Sequence, residues 1–161
     1  MKNILIPTDF SIKSLKLAGA AVRRYESERL NIILVHALEA DNSISALLSL
    51  NKKAQMNALY SDEFMEACEI VRNKYQSSIN NIKVEFYQGS TNAYLRNFLD
   101  ARSIDAIMIA KDYEPSMPSS SSYDMRSILE KTKYTIHYEN IAVRKTRELV
   151  NEPSLSELLH A

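Results

Sequence analysis

Short apolar runs alternate with longer amphipathic stretches along this chain, and that alternation predicts its elements. Asn3-Ile4-Leu5-Ile6 opens the series. Pro7 fixes its own φ and has no amide donor, so it closes a strand there. Ser11 has the chemistry of a helix cap. Leu15, Ala18, Val22 and Tyr25 then recur at helical spacing, which predicts a helix over about 12–28. Asn31 to Ala37 (NIILVHA) reads as a second strand, apolar enough to be covered on both faces. Residues 39–50 mix serines and leucines and read as a loop. About 51–78 reads as the longest helix, its buried stripe formed by Met56, Tyr60, Ala67, Ile70 and Val71, with Asn80-Asn81 at its end.

The second half continues the pattern. Ile82, Val84 and Phe86 alternate with Lys83 and Glu85, so the third strand has one wet face and belongs near a sheet edge. Gly89 supplies a turn, and Ser90 or Thr91 caps a helix that turns Leu95, Phe98 and Leu99 inward. Asp105 to Ala110 (DAIMIA) is a fourth buried strand. Lys111 to Tyr123 carries Pro115, Pro118 and the run Ser119 to Ser122, the composition of a solvated loop. A helix is expected over about 123–137, with Ile128, Leu129, Thr132 and Ile136 on one face. Asn140, Ile141, Ala142 and Val143 form the expected last strand. Beyond it runs a polar tail, in which Ser154 and Glu157 have capping-box spacing. Strand and helix alternate throughout, which predicts a parallel sheet with helices on both faces, joined by right-handed crossovers. One domain over 1–145 and a tail over 146–161 are expected.

Composition narrows the function classes. The 161 residues suffice for one sizeable core, with 45% apolar and 25% charged residues. Lys plus Arg and Asp plus Glu are balanced at 20 each, so no net field draws the chain to nucleic acid or an acidic membrane. No apolar run is long enough to span a bilayer, and no charged-then-apolar leader opens the sequence. Cys68 is the single cysteine, so no internal disulfide forms and a reducing compartment is expected. Together these predict a cytoplasmic protein. Glycine occurs only at 19 and 89, which removes both the dinucleotide fingerprint and the Walker loop.

If the chain has a small-molecule site, Thr8 and Asp9 border it, because ligands of open α/β sheets bind beyond the carboxyl ends of strands. His36 ends the second strand, where a structural role is the commoner one. No nucleophile elbow, HExxH helix or Cys/His metal cluster is present. Asp9, Asp105 and Asp112 could hold a metal only if they converged, and Asp105 begins its strand and so faces the other end. No catalytic residue is assigned.

Four segments, ILIPTDFS, IILVHA, DAIMIA and SILEK followed by ENIAV, resemble the universal stress protein family over about 1–145. The Pro-Thr-Asp after the first strand and His36 after the second are the most specific points. The resemblance implies a three-layer α/β/α fold of the adenine nucleotide alpha hydrolase-like, Rossmann-like kind, its five-stranded parallel sheet in the order 3-2-1-4-5. It also implies a stress-response role and a homodimer through the last strand, Asn140 to Val143. Many members hold ATP on a glycine, two residues, a second glycine, nine residues, then glycine and Ser or Thr. Here Ala110, Tyr113 and Arg126 stand at the three glycine positions and Ser127 alone matches, with a loop about three residues longer. By resemblance Pro7, Asp9, Ala37, Ala110, Ser127 and Ile128 line the cleft, with Asp9 as the ribose or adenine contact. The expectation is a regulatory, non-enzymatic protein without a cofactor, acting through contacts with other proteins. The alternatives are an ATP or ADP binder with an altered phosphate loop, using Arg126 and the serines, and a small nucleotide hydrolase or transferase.

Overall fold

The computed structural model describes residues 1–39 and 59–141. Within them lie strands β1 (Lys2–Pro7), β2 (Leu30–Leu38), β3 (Ile79–Tyr87), β4 (Ala106–Ala110), β5 (Ser122–Tyr123) and β6 (Ile136–Glu139). The helices are α1 (Lys16–Arg24), preceded by a 3-10 turn at Ile12–Leu15, α2 (Asp62–Lys74), α3 (Asn92–Ala101) and the four-residue α4 (Arg126–Leu129). The long strands run parallel in the order β3-β2-β1-β4-β6. That is the expected order, with β6 in fifth place. The short β5 is an addition, antiparallel on the end of β2. Among the described residues no helix is long and apolar enough to cross a membrane.

The apolar run of β1 is continuous because both of its faces are covered. Ile4 and Ile6 turn to a core shared with Leu17, Ala18, Phe64 and Val71 of α1 and α2. Leu5 turns to the opposite core, with Leu95 and Leu99 of α3 and Leu129 of α4. Each fully buried Leu or Ile stabilises the fold by about 1.5–3 kcal/mol. The alternating β3 is an edge strand. Its Glu85 receives both the Nε and Nη2 of Arg102 at 2.9 Å, and that guanidinium lies 3.6 Å from the centre of the Phe98 ring.

Several boundaries differ from the sequence expectation. The first helix is a 3-10 turn followed by α1, and it stops at Arg24 instead of about 28. Ser11 accepts from the Ser14 amide, which tightens the entry. At the exit the Tyr25 hydroxyl is held 2.8 Å from His137 Nε2 and Arg24 bonds Glu139, tying the helix end to β6. Helix α2 starts at Asp62, because the Ser61 hydroxyl accepts the Phe64 amide, and ends at Lys74. Asn80 and Asn81 lie inside β3 and do not end that helix. The expected helix over 51–58, with Met56, and the loop over 40–50 lie outside the described residues, and 59–61 precede α2 without being helical. The helix expected over 123–137 is only α4, since the Thr132 hydroxyl donates to the Leu129 carbonyl at 2.7 Å and turns the chain. The β-branched and aromatic residues that follow then form β6. The last described strand is therefore Ile136–Glu139. Asn140 and Ile141 follow it, and Ala142, Val143 and the tail lie outside the described residues.

Candidate functional site

The carboxyl ends of β1, β2 and β4 frame a cleft, and β1 determines its shape. Thr8 is still tied to β2, its amide donating to Val35 at 2.9 Å. Its hydroxyl accepts the Phe10 amide at 3.0 Å and lies 2.8 Å from the Ser14 hydroxyl. This turn places Phe10 at φ 63°, the left-handed region that side chains avoid at a cost of about 1–3 kcal/mol. The rings of His36, Tyr60, Phe64 and Phe86 surround Phe10 at centroid distances of 4.5 to 5.7 Å and hold it there.

Asp9 is 5% exposed, and its carboxylate is occupied by the chain itself. Oδ1 accepts the Ser11 hydroxyl at 2.6 Å and the Ser11 amide at 3.0 Å. Oδ2 accepts the Tyr113 hydroxyl, the Ser116 amide at 2.8 Å and the Ser116 hydroxyl at 3.2 Å. Burial by itself pushes the Asp9 pKa up. The bonds from Ser11, Tyr113 and Ser116 outweigh it and hold the carboxyl below its ordinary range. Asp9 is thus an ionised acceptor whose donors come from its own turn and from the segment after β4.

His36 pins the same segment. Its Nδ1 lies 2.8 Å from the Thr8 carbonyl, an acceptor only, so Nδ1 carries the proton. Nε2 then accepts the Ser122 hydroxyl at 2.7 Å. Burial lowers the His36 pKa, opposed by the Thr8 bond and the Asp9 charge, and the ring is neutral at pH 7. Beside this bond β5 pairs with Ala37 and Leu38 of β2, and the Glu39 amide reaches the Ser121 carbonyl at 2.7 Å. The serine run expected as a solvated loop is therefore a strap fastened across the cleft.

Arg126 is fully engaged as well. Its Nε and Nη2 bond Asp124 at 2.6 to 3.0 Å, and Nη1 bonds the carbonyls of Tyr113 at 2.8 Å and Ala110 at 3.3 Å. The Asp124 partner raises the arginine's pKa further. What remains of the cleft is a cavity of about 40 Å³, to which Pro7, Thr8, Asp9, Ala37, Ala110 and Arg126 all contribute. One or two waters need that much room, whereas small-molecule pockets run to several hundred Å³.

Ser127 and Ile128 lie outside this lining. Ser127 is exposed on α4, and Ile128 faces α3. Asp105 accepts the Asn3 amide at the opposite end of β1, and Asp112 accepts the Ile141 amide. Neither joins Asp9, and the described residues contain no cluster of three or more potential metal ligands. The sequence reading missed Ser116 and Asp124, and it placed Ser122 in a solvated loop instead of on His36. The only signal for the strap was the bulky Tyr113 at a position where bare backbone was expected.

The strand order defines the class: this is the universal stress protein fold, a doubly wound α/β sheet, with the cleft above β1 and β4 at its switch point. Hypothetical protein MJ0577 aligns with a TM-score of 0.55 at 13% identity, over 89% of this chain and 98% of that one. Hypothetical protein PH0823 gives 0.51 at 19% identity, over 89% and 99%. The universal stress protein UspA from Lactobacillus plantarum gives 0.50 at 17% identity, over 85% and 96%. No protein-family model and no curated protein matches the sequence.

Proposed function

We propose that this protein is a universal stress protein-like regulatory protein that acts as a homodimer through contacts with other proteins, and that its cleft does not serve ATP in the usual way. One observation carries the reading. The Asp9 carboxylate is occupied by Tyr113 and Ser116 of its own chain, and the room left is about 40 Å³. A triphosphate needs open backbone amides and space, and here Tyr113 and the Arg126–Asp124 pair fill both. The residues present do not fit the group.

Dimerisation is expected through β6. It pairs with β4 on one side, and its other edge is open among the described residues. An open edge favours pairing with a second copy. The interface strand then centres on Ile136–Glu139 instead of 140–143.

Mass spectrometry of ligand released from the purified protein tests the closed cleft. No stoichiometric nucleotide is expected, and calorimetry with ATP and ADP should show no saturable heat. Copurifying ATP or ADP would favour the nucleotide-binding alternative instead. Replacing Tyr113 and Arg126 by glycine and shortening the loop should raise ATP affinity, since these groups occupy the phosphate positions.

A further inference from the structure

A second concavity lies on the α3 side of the sheet, away from the closed cleft. It has two joined parts that share Asn92, Leu95 and Ile128. One part, about 590 Å³, lies at the start of α3 between Tyr87 and Tyr123, and Glu39 also lines it. The other, about 460 Å³, lies between α3 and the end of α4 and carries Arg96, Lys131 and Lys133 against the single carboxylate of Asp100. Each has the volume of a small-molecule site.

Three features give this groove chemical direction. Helix α3 spans ten residues, and Thr91 caps the Tyr94 amide, so its first turn presents donors and the positive end of its dipole. Tyr87 is 1% exposed, yet its hydroxyl makes no hydrogen bond among the described residues and meets the cavity. It is placed there by Gly89, where a Cβ would lie 2.3 Å from the Tyr87 oxygen. Burial, with Tyr123 and Tyr94 nearby, pushes that phenol up to about 12, so it is a donor at neutral pH. Arg96, one turn beyond Asn92, shares its helix face, and neither Arg96 nor Lys131 forms an ion pair among the described residues. Two carboxylates border the groove: Asp100 is held by the Tyr134 hydroxyl, and Glu39 lies in the part with Tyr87 and Tyr123.

We infer that this groove binds a small anion carrying a planar aromatic ring, the ring lodged between Tyr87 and Tyr123 and the anion at the start of α3 beside Arg96 and Lys131. The tyrosines offer ring faces and edges to a planar body, while Leu95 and Ile128 form an apolar floor. The cations and the helix start meet the charge. Tyr87 and Tyr123 lie in one part and the cationic side chains in the other, so a ligand with both groups is selected.

The test is an amide-shift titration of the whole chain with phenyl phosphate, using phenol and inorganic phosphate as the separate halves. Saturable shifts are expected at Ser90–Leu95 and Ile128–Lys133, with phenyl phosphate binding about tenfold or more tightly than either half. Replacing Arg96 and Lys131 together by alanine should weaken it about tenfold, and Tyr87→Phe, which keeps the ring, a few-fold. Both variants should show wild-type amide spectra elsewhere. Absence of saturable shifts in those two segments overturns the assignment, as does equal binding of phosphate alone. Shifts confined to Pro7–Ser11 and Ala110–Ser116 would overturn both this assignment and the closed cleft, so the two readings fail separately.

Discussion

Asp9 and His36 show how single residues hold the strap, and both make the fold acid-sensitive. Asp9 has its folded pKa depressed, so its contribution is present above the unfolded carboxyl value and is lost as pH falls through the folded one. His36 is also depressed. Its contribution is complete above the unfolded value of about 6.5 and is lost as pH falls below it, because the unfolded chain takes up the proton first. Chemical denaturation between pH 7.5 and 5 should therefore show stability falling with pH. In His36→Gln the slope should be shallower, the remainder coming from His137, whose pKa is lowered chiefly by burial. Tyr113→Phe removes one donor from an ionised carboxylate and should cost about 1–2 kcal/mol at pH 7. A urea midpoint unchanged from wild type would show that the Tyr113 bond contributes nothing.

At the scale of elements, what was legible followed from periodicity, and what was not followed from side-chain bonds. The strands NIILVHA and DAIMIA lie where their apolar runs placed them, because a strand buried on both faces has no other use for such a run. Thr91 caps α3 as its chemistry suggested. The segment 123–139 was misread because Ile128, Leu129, Thr132 and Ile136 also satisfy helical spacing, and the Thr132 hydroxyl that ends α4 leaves no mark in such a pattern. The cleft was legible in Pro7, Thr8 and Asp9, yet its closure depends on Ser116 and Ser122, whose partners are 107 and 86 residues away in the chain. Gly89, which joins β3 to α3, gives an element-scale test. In Gly89→Ala the new methyl meets the buried Tyr87 hydroxyl at 2.3 Å and the Tyr94 ring at 2.2 Å. The exposed Tyr94 can swing aside and Tyr87 cannot. The substitution should cost about 1–3 kcal/mol, and distinctly less in a Tyr87→Phe background. A double-mutant cycle in urea with no coupling would place the strain elsewhere.

For the whole molecule the two edges of the sheet differ in what they present to a partner. The outer side of β3 carries exposed Asn80, Asn81 and Lys83, a polar edge that discourages pairing. The other edge, β6, has Tyr138 47% exposed and is the one expected to meet a second copy. The carbonyls of Thr135 and Glu139 accept the amides of Ile107 in β4 and of Lys111 just beyond it, so the backbone of the alternate residue Tyr138 points outward. Tyr138→Pro should thus leave the β4 ladder intact while removing a donor from the outer edge. Sedimentation should show a dimer for the wild type and half that mass for the variant. A variant still dimeric would exclude β6 as the interface.

The left-handed Phe10 ties these scales together. Its backbone geometry persists because rings from β2, α2 and β3 close around it, and those elements are made from residues far along the chain. The turn that aims Asp9 cannot take its final shape while the chain is still short. During synthesis, the strap's anchor point therefore cannot complete its packing before Phe86 of the third strand has emerged.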